Sequence, residues 1–220
     1  MIKERLSNEE YVRRLLHWVT DQLSKDSRAV TVGVSNRHVH LDRADMDVLF
    51  GPGRELTRMK DLGQPGQYAA KETVTLRGTK GELGRVRVLG PLRSKTQVEI
   101  SIADGYQLGV TAPIRDSGQL DNTPGIEIIG PKGVVKKDHG VIVAKRHIHM
   151  VPEDAERYGL QDKQLIDVTI EGPRGARLNQ VLIRVSDQFA LEMHIDVEEA
   201  NALGIKSGDV AYMELPPEFI

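Results

Sequence analysis

The chain has 220 residues, 39% hydrophobic and 28% charged, with a formal net charge of −2 and no cysteine. That length suits one large or two small domains with a real core, and the composition is that of a soluble globular chain without bulk disorder. The charge balance leaves no electrostatic footprint for nucleic acid or an anionic membrane, and the lack of cysteine excludes disulfides, thiolate metal sites and a cysteine nucleophile. No apolar stretch approaches a membrane span, and charges interrupt the N-terminus where a signal peptide would need an apolar core. A cytoplasmic protein is expected.

The first element is a predicted helix. Ser7 followed by Glu10 has the spacing of a capping box, and Val12, Leu15, Leu16, Val19 and Leu23 then fall on one face. This amphipathic helix either packs on its own body or docks on a partner. Residues 25–28 form a short polar connector. Beyond residue 29, runs rich in Val, Ile, Leu and Thr alternate with Gly, Pro and Asp. The runs at 29–34, 72–76, 84–89, 96–102, 140–143, 165–170, 178–185 and 210–215 read as strands of one or two β-barrels. Short helices fit best at 43–50, 152–158 and 197–203. Only 4% of residues are aromatic, so aliphatic side chains must fill the cores.

An internal repeat carries most of the information. Thr31 to Asp45 reads TVGVSNRHVHLDRAD, and Gly140 to Asp154 reads GVIVAKRHIHMVPED. Aligned without gaps, Val32/Val141, Val34/Val143, Arg37/Arg146, His38/His147, His40/His149 and Asp45/Asp154 coincide. A weaker third copy matches His149 to Leu160 with His194 to Ile205: His, four residues, an acid, then a short helix ending at Gly159 or Gly204, which suit helix C-caps. His40, His149 and His194 thus share one recurring position where a strand gives way to a helix.

Residues i and i+2 of a strand point to the same face. His38 and His40 therefore project together, as do His147 and His149, and paired imidazoles are natural ligands for zinc or a similar ion. The constellation holds five of the seven histidines. His17, on the first helix, and His139, in a Lys-rich turn, are expected to lie outside it. Were the histidines instead surface strand residues or hydrogen-bonded fold features, Arg37 and Arg146 would be the conspicuous residues, pairing with Asp45 and Asp154, a role compatible with metal binding. Two catalytic ions with three ligands each would leave positions open for water or substrate. Such a set needs a sixth ligand, and Glu99, Glu72 and Glu192 are equivalent candidates on local pattern alone. Arg93 and Lys95 after the Gly90-Pro91 turn, and Arg115 beside Asp116 and Ser117, are candidate anion-binding groups. No Walker loop, dinucleotide fingerprint or Gly-x-Ser-x-Gly elbow is present.

SNRHVHL, GQYAAKETV, VRVLGPLRSKTQVEIS, LGVTAPIRDSG, AKRHIHM and MHIDVEEANA together resemble the PduL-type phosphate propanoyltransferases, or phosphotransacylases, over about residues 30–210. The resemblance implies a mainly β fold of two small β-barrels capped by short helices. Residues 1–28 would precede them, 29–36 with 145–220 would form one discontinuous barrel domain, and 37–144 the other. It further implies interconversion of an acyl-CoA plus phosphate with an acyl phosphate plus CoA, assisted by two metal ions, usually zinc. Carried over by position, the metal ligands would be His38, His40, Glu99, His147, His149 and His194. Arg93 would be the phosphate-binding arginine, and Ser35 a polar neighbour of CoA or phosphate. Residues 7–24 would be an extension directing encapsulation in a bacterial microcompartment through shell or core proteins, and a homo-oligomer is compatible with the pattern. Two other readings stand against this one. A cupin-like isomerase or dioxygenase would carry one metal per barrel. A non-enzymatic metal-binding module would not need Arg93.

Overall fold

A computed structural model describes residues 10–16, 19 and 27–215. Residues 10–16 and 19 are helical, with Tyr11, Val12, Leu15, Leu16 and Val19 exposed. The proposed Ser7 cap and Leu23 lie outside the described residues, as does His17.

Two lobes follow. One is a closed barrel whose strands run in the order β1 (Ala29–Ser35), β14 (Glu192–Asp196), β11 (His147–Met150), β13 (Ala176–Val185), β12 (Leu165–Ile170) and β15 (Val210–Met213). The barrel closes because β1 also pairs antiparallel with β15. The other lobe is a half-barrel. Its path is β7 (Ile114–Arg115), β10 (Val141–Ala144), β6 (Gln97–Glu99), β2 (His38–His40), β5 (Glu82–Gly90), β4 (Tyr68–Arg77), β8 (Ile126–Ile129) and β9 (Val134–Lys137), with β3 (Arg58–Asp61) on β4.

Four strands in each lobe obey the same rule. The His-x-His strand lies between an antiparallel neighbour on one side and a parallel one on the other: β14 and β13 around β11, β6 and β5 around β2. The next strand out is again parallel, β1 beside β14 and β10 beside β6. Each repeat therefore starts in one lobe and finishes in the other. β1 belongs to the barrel and β2 to the half-barrel, while β10 belongs to the half-barrel and β11 to the barrel. The chain crosses between lobes just before each Arg-His-x-His.

The pleat sorts the side chains. Val39 and Ile148, between the paired histidines, are fully buried in separate aliphatic cores. Leu41, Leu49, Leu76 and Val88 fill the half-barrel core, and Met150, Ile183, Met193 and Met213 that of the barrel.

Four helices each follow a strand: α1 (Arg43–Phe50), α2 (Ile102–Leu108), α3 (Pro152–Tyr158) and α4 (Val197–Leu203). Three have the predicted bounds. The fourth, α2, is not among the expected helices: the strand read over 96–102 stops at Glu99, and Ser101 with Asp104 forms a capping box that starts a helix at Ile102. Asp196 and Glu199 cap α4 in the same manner. Gly159 and Gly204 end their helices in the left-handed region at φ 63° and 68°, as expected of C-cap glycines.

The arginine pairs differ from expectation. Arg37 makes a two-pronged ion pair with Asp104, through Nε at 2.9 Å and Nη2 at 2.6 Å, and Arg146 pairs with Glu199 at 2.8 Å. Asp45 pairs instead with Lys137. The reason is strand direction: Asp45 lies beyond the far end of β2, whereas antiparallel β6 runs back and delivers the first turn of α2 beside the start of β2. The lobes are also joined helix to helix, where the Glu198 carboxylate of α4 accepts the Ile102 and Ala103 backbone N–H groups at 2.9 and 3.0 Å. These are orphan donors of the first turn of α2, so the contact is an N-cap supplied from the other lobe. Replacing Glu198 with Ala is expected to cost about 1 kcal/mol, read as a lower urea midpoint, with the sheet signal in circular dichroism retained.

Candidate functional site

The functional side chains stand where strands give way to helices. His40, Glu99, His149 and His194 each lie two residues before a helix N-cap, at Asp42, Ser101, Val151 and Asp196. The residue between ligand position and cap is apolar and buried in every case: Leu41, Ile100, Met150 and Ile195. Glu99 therefore holds in the half-barrel the place that His194 holds in the barrel. Register makes the same point, since His38 lies opposite Glu99 and His147 opposite His194.

Two three-residue groups result. The side-chain donor atoms of His38, His40 and Glu99 lie within 4.8 Å of one another, as do those of His147, His149 and His194. His38 Nε2 is 3.4 Å from Glu99 Oε2. The His147 and His149 rings are 4.5 Å apart, and His194 lies 5.2 and 4.9 Å from them. Both groups line one cleft of about 770 Å³ between the lobes, together with Ser35 and Arg93. The six candidate metal ligands carried over by resemblance, with Ser35 and Arg93, are thus brought to one cleft. Lys95 and Arg115 are not: Lys95 is exposed, and Arg115 bonds its neighbouring carbonyl. His139 is exposed and apart from both groups. Glu72 is engaged elsewhere, with Thr57.

The imidazoles have a repeated hydrogen-bond pattern. His38 Nδ1 donates to the Asn36 carbonyl at 2.8 Å, and His147 Nδ1 to the Lys145 carbonyl at 2.7 Å. Each carbonyl fixes the tautomer and leaves an Nε2 lone pair for the site. His40 Nδ1 and His149 Nδ1, in contrast, are buried with no hydrogen-bond partner. Buried polar nitrogens are seldom left without one. Two orphans at equivalent positions, each within a set of three donors, fit a bound divalent metal. Five imidazole nitrogens and a carboxylate oxygen form a donor set of the kind zinc takes.

Electrostatics agree with neutral, ligand-ready imidazoles at His40, His147 and His149. Burial pushes His147 down to about 4, helped by His194, and His149 down to about 2, helped by His147, His194 and Arg184. His40 is likewise well below its ordinary value, through burial and then His38. Burial would also depress His38 and raise Glu99, but their mutual charge and hydrogen bond reverse both, raising His38 and holding Glu99 well below the usual carboxylate range.

Arg93 leaves the connection after β5, where its backbone N–H bonds the Leu41 carbonyl. Its Nη1 donates to Ser117 Oγ at 3.1 Å, and that hydroxyl donates to Glu99 Oε1 at 3.2 Å. Gln97, almost wholly buried, donates to the same hydroxyl and to Glu99. On the barrel side, Glu192 Oε2 pairs with His194 Nε2 at 2.8 Å and accepts from Gln64 of the other lobe. Sequence reasoning did not assign Gln97, Gln64, Arg184 and Phe189 to the site. For Gln97 a signal existed, since it stands two residues before Glu99 on the same strand face. The others come together only through the meeting of the lobes.

Fold and site together define a two-lobed β-barrel protein with paired His/Glu donor groups facing one interlobe cleft. A family model described as phosphate propanoyltransferase matches residues 31–206. The chain is 63% identical over 185 residues to a phosphate propanoyltransferase of Rhodopseudomonas palustris (strain BisB18), covering 84% of this chain and 82% of that protein. It is 62% identical to one of Rhodobacter capsulatus, over 83% of this chain and 85% of the relative, and 56% identical to one of Thermotoga maritima, over 90% and 96%. The chain belongs to the phosphate propanoyltransferase family, a family of acyltransferases. Among the described residues, no helix is long and apolar enough to cross a membrane.

The depressed histidines predict an acid-sensitive apoprotein. Below about pH 6.5 the unfolded chain binds protons at His40, His147 and His149 that the folded chain refuses, so stability falls with pH, for His147 down to about 4. Glu99 adds a loss below about pH 4.5. His38, raised by Glu99, acts with opposite sign, its contribution fading as pH rises through its folded value. The urea midpoint of chelator-treated protein is expected to be lower at pH 5.0 than at pH 7.5, and the difference should shrink in the His147→Gln, His149→Gln double variant.

Proposed function

We propose that this protein is a phosphotransacylase that interconverts a short-chain acyl-CoA, propanoyl or acetyl, plus phosphate with the acyl phosphate plus CoA. The observation that carries the reading is the meeting of Arg93 with both donor groups in one cleft, in a chain of this family. The metal reading takes His38, His40 and Glu99 for one ion, and His147, His149 and His194 for a second. Zinc is favoured by the nitrogen-rich donor set.

In the forward direction an oxygen of monohydrogen phosphate attacks the thioester carbonyl carbon. The new C–O bond forms, the C–S bond breaks, the electron pair leaves on the CoA sulfur, and the phosphate proton ends on that thiol. Divalent ions bound at the two groups would gather the phosphate oxygens and stabilise charge developing on the carbonyl oxygen. Arg93 neutralises the remaining phosphate charge, and its planar guanidinium, steadied by Ser117, suits a tetrahedral oxyanion. Ser35, at the cleft end of β1, is a polar contact for CoA or phosphate. Direct attack by phosphate uses no enzyme nucleophile, in keeping with a chain without cysteine. Residues 29–36 with 145–220, and 37–144, act as two units between which the substrates bind, a reading supported by the separate cores and the strand order. Family membership weighs against the cupin-like alternative.

Wild type incubated with propanoyl-CoA or acetyl-CoA is expected to release CoA thiol only when phosphate is present. Arg93→Ala and His149→Ala should each lower that release by about 100-fold or more, with unchanged circular dichroism, and His149→Ala should also lose bound metal by elemental analysis. Phosphate-independent release would point to hydrolysis instead. A further proposal concerns residues 7–24, whose described part displays exposed apolar side chains. As a docking extension for microcompartment shell or core proteins, its removal through residue 26 should abolish co-localisation with them and leave turnover intact.

A further inference from the structure

The cleft holds a second guanidinium that the reading above does not use. Arg184 lies on β13 directly opposite His149 in parallel register, and it lines the same cleft as Arg93. It is partly buried, yet among the described residues it makes no ion pair with a carboxylate. Its recorded contact is the Phe189 ring, 5.5 Å from the guanidinium carbon, and that ring packs against His149 with centroids 4.2 Å apart. Stacking fixes the plane of the fork and leaves its N–H donors unspent.

Most other arginines at the lobe junction are neutralised or spent. Arg37 has Asp104, Arg146 has Glu199, and Arg87 donates to the Ala70 and Lys71 carbonyls. Of this set, only Arg93 and Arg184 face the cleft with neither a carboxylate partner nor a backbone carbonyl taking a side-chain donor, among the described residues. They are close enough to feel one another, since Arg93 is depressed first by burial and also by the charge of Arg184, against the opposing pull of Glu99. Two like charges held in a partly desolvated cleft are unfavourable unless an anion completes the site.

We propose that Arg184 is a second phosphate-binding residue, so that the phosphoryl group is held between one guanidinium from each lobe, Arg93 from the half-barrel and Arg184 from the barrel. The ligand class is a tetrahedral, multiply charged oxyanion: inorganic phosphate in one direction and the phosphoryl end of an acyl phosphate in the other. A clamp with one arm on each lobe explains why the site is built between them. The inference rests on the phosphotransacylase reading for its kinetics but not for its binding.

The test compares wild type with Arg184→Gln and Arg184→Lys in two measurements. In turnover with propanoyl-CoA, Arg184→Gln is expected to raise KM for phosphate roughly 10- to 100-fold, with KM for the acyl-CoA and metal content unchanged and partial recovery in Arg184→Lys. In calorimetry on metal-loaded protein with inorganic phosphate alone, the same variant should weaken binding by a similar factor. An unchanged phosphate KM overturns the proposal, as does a rise confined to the acyl-CoA KM, which would give Arg184 to the phosphates of CoA. Loss of metal with unchanged phosphate affinity would reduce it to a support for Phe189 and His149. If wild type shows no phosphate-dependent release, the phosphotransacylase reading fails, and the calorimetry still decides whether Arg184 binds phosphate.

Discussion

The architecture depends on one pairing: the antiparallel contact between each His-x-His strand and the strand that leads into a capped helix. In the half-barrel it sets His38 opposite Glu99, and in the barrel it sets His147 opposite His194. Once that register is fixed, the third donor of each group is fixed. So is the place of the helix that follows, and so is the acid that neutralises the motif arginine. Asp104 and Glu199 each close a capping box and also receive Arg37 or Arg146. One carboxylate thereby links helix start, strand start and lobe crossing. Slipping either pair by one residue would turn the histidines into the apolar cores and Val39 or Ile148 into the cleft.

That pairing also explains how so much polarity is tolerated inside. His38, His40, Glu99, His147 and His149 are all buried, which would be costly in an apolar core. They sit between two cores and not within either. Asn36 and Lys145, at the two crossings, supply the carbonyls that take the Nδ1 protons of His38 and His147. Where a fold leaves polar atoms unsatisfied at equivalent positions twice over, as at His40 and His149, the local rules of packing have yielded to function.

The exchange of lead strands between lobes gives the cleft its character. Because β1 serves the barrel and β10 the half-barrel, the chain crosses between the lobes directly after each of these strands, and Ser35, Asn36, Ala144 and Lys145 at the crossings line the cleft. The Glu198 cap on α2 and the Gln64 contacts to Ala190 and Glu192 fasten the same junction.

The sequence by itself determined the repeat, the pairing of histidines on one strand face, the three helices at their observed bounds and the glycines that end two of them. These follow from local physics: a period of two in a strand, a cap and a left-handed glycine at a helix end. It also held an unread signal, since EISIADGYQLG from Glu99 and HIDVEEANALG from His194 align without a gap. That match separates Glu99 from Glu72 and Glu192 and predicts α2. The arginine partners, the closure of one sheet but not the other, and the gathering of Ser117, Gln64, Arg184 and Phe189 were decided only by tertiary structure. Those contacts join residues from different strands and lobes. Strand direction and register set them, and one strand's pattern carries no record of which neighbour it will meet.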